Sequence, residues 1–238
     1  EALRKQILIS CSRQFEEGDV QHWWHPPMGI GVRTRITDDL LWLPYATAFY
    51  IRVTGDYSIL QEGVPYIKGP VLQKDQHDIM ITPEISELVE TVYQHCMKTI
   101  QITRFGKHGL PLMGGGDWND GMNEVGIEGV GESVWLAWFL YTLLCDFIPL
   151  CIYVGDEEIA KELEQKKDKL LADIEENCWD GEWYLRAFYD DGSKIGSKEN
   201  DECRIDSISQ SWSVISKGAG KDRALTAMKS AWRYLLRE

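Results

Sequence analysis

The amino-acid sequence predicts an all-α fold, a partial toroid of helical hairpins with its long loops on one face and a small β-hairpin in one loop. Apolar residues recur at helical spacing along most of the 238 residues, which predicts about seven helices. Short turns alternate with long loops rich in glycine and aromatic residues. If the paired helices form a ring, all the long loops lie on the same face of it. We expect the functional site on that face.

Each helix is placed by its apolar spacing and by the residues suited to begin and end it. The predicted helical segments are 2–17, 38–56, 83–106, 132–156, 157–179, 206–216 and 221–238. The third takes Pro83 as its start and Gly106 as its end, which is the usual asymmetry. The fourth is apolar on most faces from Val134 to Ile152 but contains Asp146, so it is predicted to be a buried helix and not a membrane span.

The connections between these helices are of two kinds. Gly55, Gly155 and Gly218 each end a helix and are followed closely by an Asp that can cap the next one, which predicts αα-hairpin turns. The long loops are residues 18–37, 107–131 and 180–205. Alternating apolar side chains in residues 180–193 predict a small β-hairpin inside the third loop.

Charge and cysteine content exclude several classes of function. The net charge of −13 disfavours nucleic acid and anionic membrane surfaces, which require clustered Lys and Arg. Six cysteines lack CxxC spacing, so reduced core thiols are predicted rather than a disulfide framework. No signal peptide is recognised at the start. The predicted location is therefore cytoplasmic, with any membrane anchor of a longer parent protein outside these residues.

The length of the chain suits one domain or part of one. A complete ring of helix pairs contains more helices than these segments supply, and the sequence begins and ends within helical patterns. We therefore expect residues 1–238 to be a fragment of a single, larger catalytic domain, with the remainder of the parent polypeptide as its partner.

The first long loop combines flat aromatic rings with charged hydrogen-bonding groups, which is what a sugar requires. Trp23 and Trp24 are candidates for stacking on the C–H faces of a pyranose. Arg33, Arg35, Asp38 and Asp39 supply charged groups for bonds to its hydroxyls. The alternative for the two tryptophans is packing of the loop onto the helices. Asp38 is a candidate helix cap, which would leave Asp39 to face the site.

The second long loop contains the segment "GGGDWND", which ends at Asp120. Its glycines permit backbone angles that other residues resist and let a ligand approach closely. Trp118 offers a stacking platform. Of Asp117 and Asp120, one can act as an acid while the other binds a hydroxyl, caps a turn or holds the loop. The alternative is a glycine-rich turn whose Asp side chains only satisfy backbone N–H groups.

Two further clusters carry weaker signals. His22 and His25 resemble metal ligands, but no third ligand stands at metal spacing, so no metal site is predicted. The charged cluster before the sixth helix is expected to be mainly a salt-bridged helix entry, with Glu202 as a possible group of the sugar site. Its members are Asp201, Glu202, Arg204 and Asp206.

Three segments carry a resemblance to a known family. The stretches "GDVQHWWHPPMGIGVRTRITDDLLWLP", "GLPLMGGGDWNDGMNEVG" and "NDECRIDSISQSW" resemble glycoside hydrolase family 94, formerly glycosyltransferase family 36. The likeness covers nearly the whole chain and is greatest to the branch that contains cyclic β-1,2-glucan synthases and β-1,2-oligoglucan phosphorylases. The resemblance implies an (α/α)6 barrel, which agrees with the toroid expected from the helix spacing.

The resemblance also implies roles for individual residues. Asp120 matches the general acid of the family, and Trp118 matches a residue of the same sugar subsite. Arg33 and Asp39 match the pair that binds the hydroxyls of the transferred glucosyl unit. The family's phosphate-binding residues have no match before Glu238, so the chain is expected to carry half of an active site. No cofactor is implied: inorganic phosphate is the co-substrate, and the partners are a β-glucan oligosaccharide and glucose 1-phosphate.

The implied reaction is inverting phosphorolysis, or the reverse transfer, of β-glucosidic bonds in β-1,2-linked glucans, giving α-glucose 1-phosphate. Asp120 would protonate the leaving oxygen, which requires its pKa to be raised by burial or by nearby negative charge. One alternative is an inverting hydrolase with Glu202 or Asp117 as the base. The other is a non-catalytic domain that binds glucan or controls chain length in a synthase.

Overall fold

The protein is formed largely of helices, and its computed structural model describes residues 1–236. Within those residues there are seven α-helices and eight short strands, which form three small sheets. The backbone divides into two compact units, the second of which begins at Arg104. The predicted number of helices is confirmed, but an all-α description is too narrow. Closure of the helices into a ring stays a prediction.

The first unit contains three helices and two sheets. The helices are α1 (Ala2–Cys11), α2 (Asp39–Thr54) and α3 (Val92–Ile102). The strands are β1 (Gln21–His25), β2 (Ile30–Thr34), β3 (Gly63–Lys68), β4 (Asp78–Ile81) and β5 (Glu84–Thr91). One antiparallel sheet has the order β1-β2-β4, and β3 pairs with β5 in the other. Much of the predicted first long loop is therefore a β-hairpin, whose side chains alternate between two faces.

The predicted third helix is wrong in its first half. That half is β5, which pairs antiparallel with β3, and the helix begins only at Val92. Its start signal is a capping box, in which the Thr91 hydroxyl accepts from the backbone N–H of Gln94 and the Gln94 side chain accepts from the N–H of Thr91. Since β-branched residues before Thr91 suit an extended strand, Pro83 precedes a strand and not a helix.

The second unit contains the remaining helices and one three-stranded sheet. The helices are α4 (Val134–Val154), α5 (Glu157–Asn177), α6 (Ser207–Ile215) and α7 (Lys221–Leu235). The strands are β6 (Glu132–Ser133), β7 (Ala187–Phe188) and β8 (Lys194–Ile195). They are antiparallel in the order β6-β7-β8. Helix α4 packs against α5 and α6, and α6 packs against α7.

Two of the three predicted αα-hairpin turns are confirmed. Gly155, with φ of 86°, ends α4 and leads into α5. Gly218 lies between α6 and α7 but is not the helix stop, because Ser216 is the cap of α6 and Lys217 has the positive φ of 58°. Gly55 also ends its helix in the left-handed region, with φ of 71°. The chain then makes a 3-10 turn at Tyr57–Gln61 and enters β3, so this prediction is wrong. A glycine stop sets where a helix ends without specifying the type of the next element.

Helix α4 is the apolar core of the second unit. Trp135, Leu136, Trp138 and Phe139 are at most 1% exposed. By length and composition alone the helix could cross a membrane, yet 67% of its most apolar window is buried inside the protein. Burial in the core accounts for a helix that is apolar on most faces, as expected from the sequence.

The predicted small β-hairpin is present, slightly closer to the C-terminus than expected. Strands β7 and β8 pair across a turn in which Gly192 has φ of 87° and the Asp191 carboxylate accepts from the N–H of Ser193. Strand β6 adds to the other side of β7, with Glu132 opposite Phe188. The third long loop is thereby joined to the end of the second.

The six cysteines are free thiols, and four of them are buried. Burial raises the pKa values of Cys11 and Cys178 well above the ordinary thiol value. Cys145 and Cys203 are exposed, so the prediction of core thiols is wrong for these two. Cys145 faces outward on α4, and Cys203 lies in the irregular segment before α6.

Candidate functional site

The "GGGDWND" segment lies in the loop between α3 and β6, and its backbone requires glycine at two positions. Gly114 has φ of 58° and Gly116 has φ of 137°, both in the region that disfavours side chains. A Cβ at Gly116 would also lie 3.3 Å from the carbonyl oxygen of Asn119. The predicted conformational role of the glycines is confirmed for this pair.

Asp117 is the buried anchor of this loop. Its side chain is 0% exposed, and its two oxygens accept from Nη1 and Nη2 of Arg186, both at 2.7 Å. The Ser133 hydroxyl donates to Asp117 Oδ2 at 2.7 Å. The backbone N–H of Asn119 donates to Oδ1 at 3.2 Å. This is a bidentate, charge-assisted pair with both carboxylate oxygens fully used.

The roles considered for Asp117 as a sugar-binding group or a catalytic base are not supported by this structure. A base must reach water or substrate, and a buried carboxylate held in a fork by Arg186 reaches neither. Releasing it would leave an uncompensated charge inside the protein, which costs about 3–5 kcal/mol. Of the alternatives for this aspartate, the one the structure supports is that it holds the loop.

Trp118 and Asp120 occupy the exposed tip of the same loop. The Trp118 side chain is 50% exposed, and Asp120 is exposed at the start of a 3-10 turn, Asp120–Met122. Asn119 caps that turn, since its side-chain oxygen accepts from the N–H of Gly121 at 3.0 Å. The burial expected around the acid is not present within residues 1–236. The tip thus presents an indole and a carboxyl group together on the outside of the second unit.

Three charged side chains, one on β6, one just before β7 and one in the β7–β8 turn, hold the loop along its length. Buried Glu132 accepts from the N–H groups of His108 and Leu110 at 3.1 Å each, near the loop's beginning. Arg186 holds its middle through Asp117. The carboxylate of Asp190 accepts from three backbone N–H groups near its end. The donors are Glu128, Val130 and Gly131, at 2.8 to 2.9 Å.

Arg33 lies on β2 in the first unit and is 1% exposed. Its side chain bonds to the carboxylates of Asp19 and Glu17 and to the backbone carbonyls of Gly69 and Pro70. A guanidinium has five N–H donors, and these contacts use all five. The prediction that Arg33 binds sugar hydroxyls is not supported by this structure, in which every guanidinium N–H already has a partner in the protein. Its observed role is to bind segments 17–19 and 69–70 to β2.

Asp39 is the first residue of α2 and remains partly accessible. Its carboxylate lies 3.0 and 3.1 Å from Nδ1 of His22, and its side chain is 16% exposed. The hydroxyl of Thr34 is 3.5 Å away. Asp38 occupies the cap position, and its carboxylate accepts from the indole N–H of Trp42 at 2.8 Å. Asp38 is at the expected cap position but makes no side-chain cap hydrogen bond; it is buried, and Asp39 is the more accessible of the two.

The two tryptophans of β1 lie on opposite faces of the strand. Trp23 is 39% exposed and meets the ring of His25 edge-on, with centroids 5.2 Å apart. Trp24 is half-buried, with the guanidinium of Arg13 6.0 Å from its ring centroid. Trp23 therefore suits a stacking role and Trp24 a packing role. Among the described residues no three His, Cys, Asp or Glu side chains are grouped as a metal site would require.

The charged cluster before α6 is a helix entry, and its ion pair joins Asp206 to Arg186. Asp206 caps α6, accepting from the N–H of Ile208 at 2.7 Å, and its other oxygen lies 3.5 Å from Arg186 Nε. Arg204 donates to the carbonyl of Lys198. Glu202 is exposed in the preceding loop. The structure brings Asp206 toward Arg186 without assigning Glu202 to a site.

Sequence reasoning missed Arg186 and Asp190, the two residues in and next to the hairpin that hold the loop. The signal for Arg186 was available, since a charged residue inside the apolar run "WYLRAF" is rarely buried without a specific partner. Asp190 carries no such signal, because acidic residues at a hairpin turn usually face solvent.

Comparison with protein families matches residues 1–238 to the Glycosyl hydrolase 94 superfamily, catalytic domain, and the chain belongs to this family. It is 48% identical over 235 residues to the cyclic beta-(1,2)-glucan synthase NdvB of Rhizobium meliloti, a match covering 98% of this chain and 8% of that protein.

Two relatives named as phosphorylases are also similar. Solabiose phosphorylase of Paenibacillus borealis is 32% identical over 225 residues, covering 93% of this chain and 26% of that protein. The 1,2-beta-oligoglucan phosphorylase of Listeria innocua is 25% identical over 172 residues, covering 68% and 15% respectively. The resemblance stated from the motifs is confirmed, and the chain spans only a minor part of each of these relatives.

Proposed function

We propose that the protein containing this chain catalyses inverting phosphorolysis of β-1,2-glucosidic bonds, with Asp120 as the general acid. The observation that carries the proposal is the loop tip. There, an accessible carboxyl group and an accessible indole two residues earlier stand on a backbone that the buried Asp117–Arg186 pair holds in place. An acid beside a stacking platform suits protonation of a sugar's leaving oxygen.

The proposed chemistry needs a single protein carboxyl group. An oxygen of inorganic phosphate forms a bond to the anomeric carbon while the bond from that carbon to the leaving sugar oxygen breaks. Asp120 gives its proton to that oxygen and is left as a carboxylate. A hydrolase would need a second carboxylate to activate water. The burial of Asp117 removes one of the two candidates for that base, which favours phosphate as the nucleophile.

In the first unit we assign Asp39 to a sugar hydroxyl and exposed Trp23 to stacking. Asp39 keeps partial exposure while His22 fixes its orientation. A carboxylate accepts from hydroxyls at short distance, and such charge-assisted bonds are about twice as strong as neutral ones. Arg33 enters the proposal as the residue that holds the surrounding segments, and not as a ligand contact.

The β-1,2 linkage is supported by two of the relatives. NdvB is named for cyclic β-(1,2)-glucan synthesis, and the Listeria protein is named for phosphorolysis of 1,2-β-oligoglucans. The 48% identity to a synthase favours a second candidate, in which the same site trims or transfers glucan and so controls chain length in a larger protein. Both candidates use Asp120. They differ in whether the site carries out phosphorolysis or trims and transfers glucan to control chain length.

The test is an assay of the full-length protein on gluco-oligosaccharides with β-1,2, β-1,3 or β-1,4 linkages, each with and without inorganic phosphate. We expect α-glucose 1-phosphate from the β-1,2 substrate, only when phosphate is present, identified by the NMR signal of its anomeric proton. Free glucose formed at the same rate without phosphate would identify a hydrolase instead. Glucan binding by calorimetry with no turnover would identify a binding domain.

A further inference from the structure

The backbone of Arg186 is fixed from both sides. Its N–H donates to the carbonyl of Ile195 at 2.8 Å on β8, and its carbonyl accepts from the N–H of Val134 at 3.2 Å at the start of α4. Arg186 itself is 1% exposed. The direction of its side chain is therefore set by the sheet and by the first turn of the core helix.

The side chain of Arg186 contacts the loop through Asp117. Because the backbone of Arg186 is fixed, these contacts also fix the position of Asp117. The two 2.7 Å bonds define the plane of the Asp117 carboxylate as well as its position. Ser133 adds a second constraint, because its hydroxyl donates to Asp117 while accepting from the N–H of Leu136 in α4. Asp117 in turn accepts from the N–H of Asn119, whose side chain caps the turn that begins at Asp120.

The pair is poorly explained by stability alone. Within the described residues the buried Nε of Arg186 has no hydrogen-bond partner, and the nearest carboxylate oxygen, of Asp206, lies 3.5 Å away. A buried ion pair is generally weak evidence for stability, since apolar residues of similar volume often serve as well. A guanidinium that bonds to both oxygens of a carboxylate fixes the orientation of that carboxylate, which an apolar contact does not.

We propose that Arg186 is a positioning residue, which sets the placement of Trp118 and Asp120 by orienting Asp117. This inference rests on the proposed role of Asp120 as the general acid. Displacing a catalytic group by about 1 Å costs roughly 10²-fold in rate. Loss of the fork is therefore expected to reduce the rate of the chemical step more than it weakens substrate binding.

The experiment measures kcat and KM of the full-length protein with a β-1,2-gluco-oligosaccharide and phosphate, normalised to the folded fraction from circular dichroism. Arg186→Met is expected to lower kcat by roughly 10²-fold with KM within about threefold of the parent. Arg186→Lys keeps the charge but loses the fork, and a loss of roughly tenfold is expected. The control is Arg223→Met, which removes a partly exposed ion pair to Glu175 in the same unit and should leave kcat unchanged.

The outcomes separate this inference from the proposed function. If Asp120→Asn is nearly inactive while both Arg186 variants keep the parent kcat per folded molecule, only the positioning role is overturned. If Asp120→Asn keeps parental activity, the acid assignment itself fails. Should Arg186→Met not fold, Arg186→Lys decides alone, and a kcat within about twofold of the parent overturns the inference.

Discussion

Two aspartates three residues apart have opposite surroundings in this protein. Asp117 is completely buried with both oxygens bound to Arg186, whereas Asp120 is exposed at the next turn of the chain. The sequence "DWND" identifies both as candidates, but only burial distinguishes the group that holds the loop from the group that can meet a ligand. At the scale of single residues, the carboxyl group whose oxygens are bonded inside the protein holds the structure, and the exposed carboxyl group is the one that can meet a substrate.

The pKa of Asp56 gives a prediction at the same scale. Hydrogen bonds from Ser58 and Tyr50 and the guanidinium of Arg4 hold the pKa of this carboxyl at about 2, below its ordinary value of 3.8. Because the folded-state pKa is depressed, the contribution to stability is present above pH 3.8 and is lost as the pH falls through about 2. We expect Asp56→Asn to be less stable at pH 7 and less sensitive to pH between 4 and 2.

Urea unfolding of the parent, Asp56→Asn and the exposed control Asp75→Asn across that pH range checks this prediction. The control should follow the parent curve. Equal loss of stability with falling pH in the parent and in Asp56→Asn would show that the network around Asp56 contributes nothing.

At the scale of elements, residues in and next to the β7–β8 hairpin stabilise the long irregular loop between α3 and β6 through hydrogen bonds. Its pairing with β6 brings Arg186 and Asp190 against residues more than fifty positions earlier in the chain. Short strands of two residues contribute few ladder bonds of their own. The side-chain bonds from the hairpin to loop backbone groups therefore account for much of the local order.

Asp190 provides a direct test of that stabilisation. We expect Asp190→Asn to accelerate amide hydrogen exchange at Glu128, Val130 and Gly131 by roughly tenfold to a hundredfold, since a bond to a charged group contributes about 1.5–3 kcal/mol. The neighbouring Asp191→Asn, which removes a bond only within the hairpin turn, is the matched control. Unchanged exchange at these amides in Asp190→Asn would contradict a stabilising role for the hairpin.

At the scale of the whole molecule, the helices were predictable and the strands of the first unit were not. Helix α4 is a long apolar run that ends at Gly155, and α5 has a long amphipathic pattern, so local sequence determines both. Strand β5 has Ile85 and Val89 exposed, without the clean alternation that marks a half-buried strand. Its identity depends on pairing with β3, a partner about twenty residues away that periodicity does not reveal.

The residues of the candidate site also differ in how far local sequence predicts their roles. Motif resemblance alone assigns Asp120, Trp118 and Asp39 to the sugar site, and these assignments stay predictions. It assigned Arg33 to a ligand, whereas the fold surrounds Arg33 with acceptors from segments 17–19 and 69–70. Which donors are already satisfied is a property of tertiary structure, and a motif does not contain it.

The central claim is that the carboxyl group of Asp120 supplies the proton to the leaving sugar oxygen. The most direct measurement compares the phosphorolysis rates of Asp120→Asn and Glu124→Gln in the full-length protein on a β-1,2-gluco-oligosaccharide. Glu124 is an exposed acid of the same loop, so its variant controls for loss of surface charge. We expect Asp120→Asn to lose roughly 10²–10⁴-fold in kcat and Glu124→Gln to match the parent. An Asp120→Asn protein that retains the parental kcat would contradict the account.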